Sequence, residues 1–157
     1  MYIIANCILQ NHKENVYGIV WFQQTINGEN ETRVYGTIKG LSDGLHGFHI
    51  HAFGDLSNGC DSAGPHFNPT GKDHGSLHSE IRHVGDMGNL ESFGREVSFN
   101  FIVKDMSLVG PYSIIGRSVI VHTDKDDLGI TSNPLSKTTG NAGARIACGV
   151  IGICQMK

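Results

Sequence analysis

The chain has 157 residues, 12 Lys and Arg against 15 Asp and Glu, and a net charge of −3. It is long enough to bury a sizeable core and too evenly charged to suggest nucleic acid or an anionic membrane as a partner. Its longest apolar stretches, 1–9 and 146–154, fall short of the ~20 residues of a membrane helix, and the N-terminus lacks the basic start of a secretory signal, so a cytoplasmic protein is expected.

Glycine occurs 21 times and proline four times, without a low-complexity run, which predicts many tight turns between short strands in one domain over residues 1–157. Period-two alternation recurs along the chain and helical periodicity does not. Residues 2–9 read as a first strand. Residues 16–23 read as a second, with Tyr17, Ile19 and Trp21 on one face and Gly18, Val20 and Phe22 on the other. Asn27-Gly28 is a hairpin signal and leads into a third strand over 32–38. A fourth covers 45–52. Residues 53–85 show no alternation, and a loop of that length must be tied down by something. Strands follow over 96–103 and 118–122, then an irregular segment over 123–144 and a last strand over 145–154. Seven or eight short strands with turns between them predict an antiparallel sandwich or flattened barrel.

Six of the nine histidines fall between Gly47 and Asp86: His49, His51, His66, His74, His78 and His83. His122 closes the strand over 118–122. His49 and His51 are two apart on a strand and so share a face, which suits two ligands of one metal. His66, His74, His83 and Asp86 supply three imidazoles and a carboxylate, a set that closes a tetrahedral zinc site. His49, His51, His122 and one shared ligand make a histidine-only set, which suits copper. Any one of these histidines alone reads equally well as a surface or hydrogen-bonding residue. Together, with the aspartate, they call for metal.

Four stretches carry a family resemblance: Gly44-Leu45-His46-Gly47-Phe48-His49-Ile50-His51, Ser62-Ala63-Gly64-Pro65-His66-Phe67-Asn68-Pro69, Arg82-His83-Val84-Gly85-Asp86 and the run from Gly140-Asn141-Ala142-Gly143 through Arg145 to Gly152. Over nearly its whole length the chain resembles the copper/zinc superoxide dismutases of the eukaryotic cytosolic type. The resemblance implies an eight-stranded antiparallel Greek-key β-barrel or sandwich of immunoglobulin-like architecture with two long functional loops. It implies superoxide as substrate, copper and zinc as cofactors, and a homodimer and a copper chaperone as partners.

Residue by residue, His49, His51 and His122 match the copper-only ligands, and His66 matches the imidazole shared between the metals. His74, His83 and Asp86 match the remaining zinc ligands. Asp126 matches the carboxylate that links a ligand of each metal, here His49 and His74. Arg145 matches the guanidinium that receives the anionic substrate, His66 a proton donor, and Thr139 a residue that narrows the channel. Cys60 and Cys148 match an intrasubunit disulfide, while Cys7 and Cys154 are expected as free buried thiols. His46 reads as a structural hydrogen-bonding residue, and His12 and His78 as exposed. The family's dimer contacts correspond to the loop near Gly54, to Ile114-Ile115-Gly116, and to Val150 and Ile153.

The chain departs from the family at Pro134 and Leu135, where acidic residues are common, at Lys137, one position before the usual lysine, and at Ala52, often acidic. A metal-storage protein would keep the ligands without needing Asp126, Thr139 or Arg145. Their presence favours the enzyme.

Overall fold

The computed structural model describes residues 1–26, 28 and 30–155, so Asn27 of the expected hairpin lies outside the described residues. Nine strands run in chain order: β1 (Tyr2–Asn11), β2 (Val16–Thr25), β3 (Glu31–Lys39), β4 (Gly44–His51), β5 (Ser57–Cys60), β6 (Asp86–Ser92), β7 (Glu96–Lys104), β8 (Ser118–His122) and β9 (Arg145–Ile153). Among the described residues the one helical element is a 3-10 turn over Asp61–Ala63, and no helix is long and apolar enough to cross a membrane.

Eight strands form one antiparallel sheet in the order β6-β4-β8-β9-β1-β2-β3-β7. Its two end strands, β6 and β7, are joined by a tight turn in which Phe93 N–H donates to Glu96 O at 3.0 Å. The sheet therefore curls into a nearly closed barrel, and little edge is left open. The connections from β3 to β4 and from β7 to β8 cross between strands that are not neighbours, as in a Greek key.

The alternation read from the sequence sets which side chains fill the barrel. Val20 and Phe22 of β2 are fully buried while Tyr17 and Ile19 face out, and Ala5, Cys7 and Leu9 of β1 and Val34 and Ile38 of β3 point inward. Each large apolar side chain so buried contributes about 1.5–3 kcal/mol.

Two parts were not anticipated. β6 carries no clean alternation, because Gly88 sits at φ 74 and the pairing with β4 shifts register between Gly47 and His49. Its core residues, Met87 and Leu90, are consequently three apart instead of two. Within 53–85, β5 and the 3-10 turn lie outside the main sheet. The last strand ends at Ile153, so Cys154 lies just beyond it, half-buried, while Cys7 is fully buried.

Long-range ties answer what holds the two irregular segments. Cys60 is disulfide-bonded to Cys148 of β9. Ala52 N–H donates to Pro65 O and Phe67 N–H donates to Ile50 O, each at 2.8 Å, stitching 65–67 along the end of β4. The second segment is fixed by Asp127 N–H to Gly140 O at 2.8 Å and meets the first where His74 N–H donates to Lys137 O at 2.9 Å.

Candidate metal centre

β4 and β8 are antiparallel neighbours, with His49 opposite Ile120 and His51 opposite Ser118. That register brings His122, at the end of β8, beside the His49–His51 face, with ring centroids 4.9 Å from His49 and 5.5 Å from His51. His66 arrives from the first long loop through a bridge to His51, and its ring lies 4.0 Å from that of His49.

In three of these rings a hydrogen bond decides which nitrogen is free. A carbonyl or carboxylate oxygen only accepts, so the ring nitrogen facing it carries the proton and the other keeps its lone pair. His51 Nδ1–H donates to Gly64 O at 2.8 Å, His122 Nδ1–H to Gly143 O at 3.1 Å, and His49 Nε2–H to Asp126 Oδ2 at 2.7 Å. The opposite atoms, His51 Nε2, His122 Nε2 and His49 Nδ1, are buried without a hydrogen-bond partner, and so is His66 Nε2. His49, His51, His66 and His122 each offer a ligand atom within 4.8 Å of the others. Buried polar atoms are rarely orphaned, and four converging imidazole nitrogens fit a copper ion.

The other nitrogen of His66 belongs to a second cluster. His66 Nδ1 is 2.9 Å from Asp86 Oδ1 and 3.2 Å from His83 Nδ1, and His83 Nδ1 is 3.2 Å from the same carboxylate oxygen. His74 Nδ1 lies 2.9 Å from Asp86 Oδ2, and its Nε2–H is given to Asp126 Oδ1 at 2.7 Å. On this side His49, His66, His74 and Asp86 each offer a ligand atom within 4.8 Å of the others, a grouping that leaves out His83. His49 has its Nε2 engaged by Asp126 and its Nδ1 in the first cluster, whereas His83 directly contacts His66 and Asp86. Three imidazoles and a carboxylate, His66, His74, His83 and Asp86, make the donor set that fits zinc.

Burial holds the first cluster in its neutral, ligand-competent form. It drives His49 and His51 far below the ordinary histidine range, helped by the charge of neighbouring His66, and it lowers His122 to about 4. In the second cluster burial alone would raise Asp86. Hydrogen bonds from His66, His74 and His83 outweigh it and hold the carboxyl well below its usual range. Burial likewise opposes the charge on His74, but its bonds to Asp126 and Asp86 carry it up to about 9.

Asp126 is fully buried and spans both clusters through His49 and His74. Its backbone is clamped by Asn89, which accepts from Asp126 N–H at 2.7 Å and donates to Asp126 O at 2.9 Å. Arg145 is half-buried, with Nη1 donating to Cys60 O at 2.8 Å and Nη2 to Gly64 O at 2.7 Å. The Gly64 carbonyl accepts from His51 as well, which sets the guanidinium beside the first cluster. Thr139 is exposed, and its hydrogen bonds go to Leu135 O and Asn141 N–H, not to the histidines. His46 stands apart from both sets, buried with Nδ1 2.8 Å from His122 O and Nε2 2.9 Å from Ser42 O, and His12 and His78 are exposed.

Several participants carried no sequence signal of their own. The carbonyls of Gly64 and Gly143 come with every residue type. Asn89 is an ordinary amide in an unrecognised strand. Gly140 could have been flagged within Gly140-Asn141-Ala142-Gly143, but the reason for it is spatial: at φ 67, a Cβ there would land on Asp126 Oδ1 and His74 Nε2.

The family model described as copper/zinc superoxide dismutase (SODC) matches residues 16–151. The chain is also 53% identical, over 153 residues, to a protein of Autographa californica nuclear polyhedrosis virus that is named, provisionally, a Cu-Zn superoxide dismutase. That match covers 96% of the chain and 99% of the viral protein.

Proposed function

The chain belongs to the copper/zinc superoxide dismutase family, enzymes that convert superoxide to oxygen and hydrogen peroxide, and from that premise we propose how its residues divide the work. Copper supplies the one-electron redox change, and zinc, which has no redox chemistry of its own, orders the site. His49 Nδ1, His51 Nε2, His122 Nε2 and His66 Nε2 would hold copper; His66 Nδ1, His74, His83 and Asp86 would hold zinc. The observation that carries this division is the set of four buried imidazole nitrogens without a partner.

The remaining residues act on substrate and protons. Arg145 attracts superoxide and orients it by a charge-assisted contact, its own direction fixed by the carbonyls of Cys60 and Gly64. Thr139 narrows the approach. When it is not engaged as a ligand, His66 Nε2 is the atom at which a proton can be held and passed to the reduced product. Asp126 locks His49 and His74 in the tautomers the two sets require. Positive potential near the mouth can raise the on-rate of an anion by roughly 10–10³-fold, so the net charge of −3 is no obstacle.

The test is superoxide decay in metal-loaded protein against ionic strength, for the wild type and for Arg145→Gln. Wild-type rates toward the ~10⁸–10⁹ M⁻¹s⁻¹ ceiling that fall with salt, with R145Q at least about tenfold slower and less salt-sensitive at equal metal content, support the assignment. Equal rates in the two proteins would remove Arg145 from it. A fast wild-type rate indifferent to salt would mean that the segment carrying Pro134 and Leu135 no longer guides the anion.

Residues 1–157 are read as one domain that acts in the cytoplasm as a homodimer and receives copper from a chaperone. The dimer is supported by a face where Phe53, Val150 and Ile153 are 56, 42 and 69% exposed, and where Gly54 packs so closely on Gly116 and Val150 that no Cβ would fit. Ile114 is fully buried, so of the anticipated segment Ile115 and Gly116 remain for contact.

A further inference from the structure

Arg117 is in neither ligand set, yet it grips both flanks of His66. Its guanidinium carbon sits 3.8 Å over the centre of the Phe67 ring, and Phe67 follows His66 in the chain. Its Nη1 donates to Ala52 O at 2.8 Å, and Ala52 N–H in turn donates to Pro65 O, on the other side of His66. Its Nε is anchored by Ser113 O at 2.9 Å. Among the described residues no carboxylate lies within 4.0 Å of Arg117, so its charge serves no ion pair. The Phe67 backbone is held by Ile50 O and Gly85 N–H, and its buried ring packs on the core with Arg117 over its face.

His66 is unusually demanding to position. Its Nδ1 must reach the Asp86 cluster while its Nε2 reaches the His49 cluster, so a small rotation of the segment loses one side or the other. We propose that Arg117 is a positioning residue for the shared imidazole: stacked on Phe67 and bonded to Ala52, it clamps Pro65-His66-Phe67 so that both nitrogens stay in register. This rests on the reading that His66 serves both metals. The stack is a cation–π contact, and the bond to Ala52 fixes it in place.

The test compares wild type, Arg117→Gln, Arg117→Lys, Phe67→Leu and the F67L/R117Q double variant, all loaded with copper and zinc. Two readouts are followed: zinc release to a chelator, and the copper absorption and paramagnetic resonance spectra before and after zinc is withdrawn. The expected result is zinc release about tenfold faster in R117Q and in F67L, with a copper spectrum shifted toward that of zinc-free protein. The double variant should fall short of the combined effect of the two single ones, because both substitutions remove the same Arg117–Phe67 stack. R117K, which keeps a cation but not the forked geometry, should fall between. If R117Q does not fold, R117K and F67L carry the same comparison. Wild-type release and spectra in R117Q, or additive effects in the double variant, would overturn the role of Arg117. If withdrawing zinc leaves the wild-type copper spectrum unchanged, the shared-histidine reading itself fails.

Discussion

At residue 140 the space for a side chain is already taken. Asp126 Oδ1 and His74 Nε2 occupy the volume a Cβ would need, and the backbone at φ 67 favours glycine in any case. Gly140→Ala should therefore break the bond from His74 to Asp126 and release the His74 ring. Loss of such an outer partner lowers metal affinity by about 10–100-fold, with zinc affected most if His74 belongs to the set proposed for it. Chelator competition on the purified variant measures this, and unchanged zinc affinity would show that Asp126 does not steer His74. Gly47 is constrained in the same way: its Cβ would come 2.7 Å from Ala142 Cβ and 3.2 Å from His49 Cε1. Gly140 and Gly47 thus leave room beside the imidazoles of His74 and His49.

Among the elements, β4 presents the histidines, while the loops complete the site and need holding. The Cys60–Cys148 disulfide closes a separation of 88 residues and fastens the first loop to β9, where Cys60 O and Gly64 O fix Arg145. Loop-closure entropy bounds its contribution at about 4–5 kcal/mol, and removal of a native disulfide typically costs about 2–5 kcal/mol. For metal-free Cys60→Ala/Cys148→Ala protein, about 3 kcal/mol corresponds to a midpoint lower by about 6–12 °C in calorimetry. A shift under 2 °C would mean that hydrogen bonds alone fasten the loop. β6 teaches a different lesson about legibility. Its polar residues and Gly88 hide it from a period-two reading, yet it pairs with β4 and delivers Asp86 and Asn89 to the site.

In the molecule as a whole, core and metal centre meet at Phe48, Ile50, Phe67 and Val84, which belong to the core cluster and adjoin proposed ligand histidines in the chain. Barrel residues such as Leu9, Phe22 and Ile38 are buried without help from the site, whereas residues 53–85 and 123–144 converge on the histidines. Metal bound only by the folded state stabilises it by mass action, about 4 kcal/mol per ion at a thousandfold excess over its dissociation constant. Chelation should accordingly lower the midpoint and release amide protection first in the two loops, with β1, β2 and β3 keeping theirs in hydrogen exchange. Simultaneous loss in β1–β3 would contradict an independently stable barrel. For the dimer, Val150→Lys/Ile153→Lys should halve the mass in sedimentation without altering the circular dichroism. A wild-type chain that already sediments as a monomer would dispose of that assembly.

The sequence by itself determined the donor types and the barrel's inside and outside. His49-x-His51 can only share a strand face, Val20 and Phe22 can only oppose Tyr17 and Ile19, and the motif residues carry a family resemblance that a whole-length relative supports. Tertiary structure decided which nitrogen of each ring is free, that Gly64 O serves both His51 and Arg145, that β6 exists, and that Gly140 and Arg117 stand where they do. The reason is physical. Strand periodicity is a local property written in neighbouring side chains, whereas a backbone carbonyl looks alike at every position and acquires a role only when long-range pairing brings a particular imidazole to it.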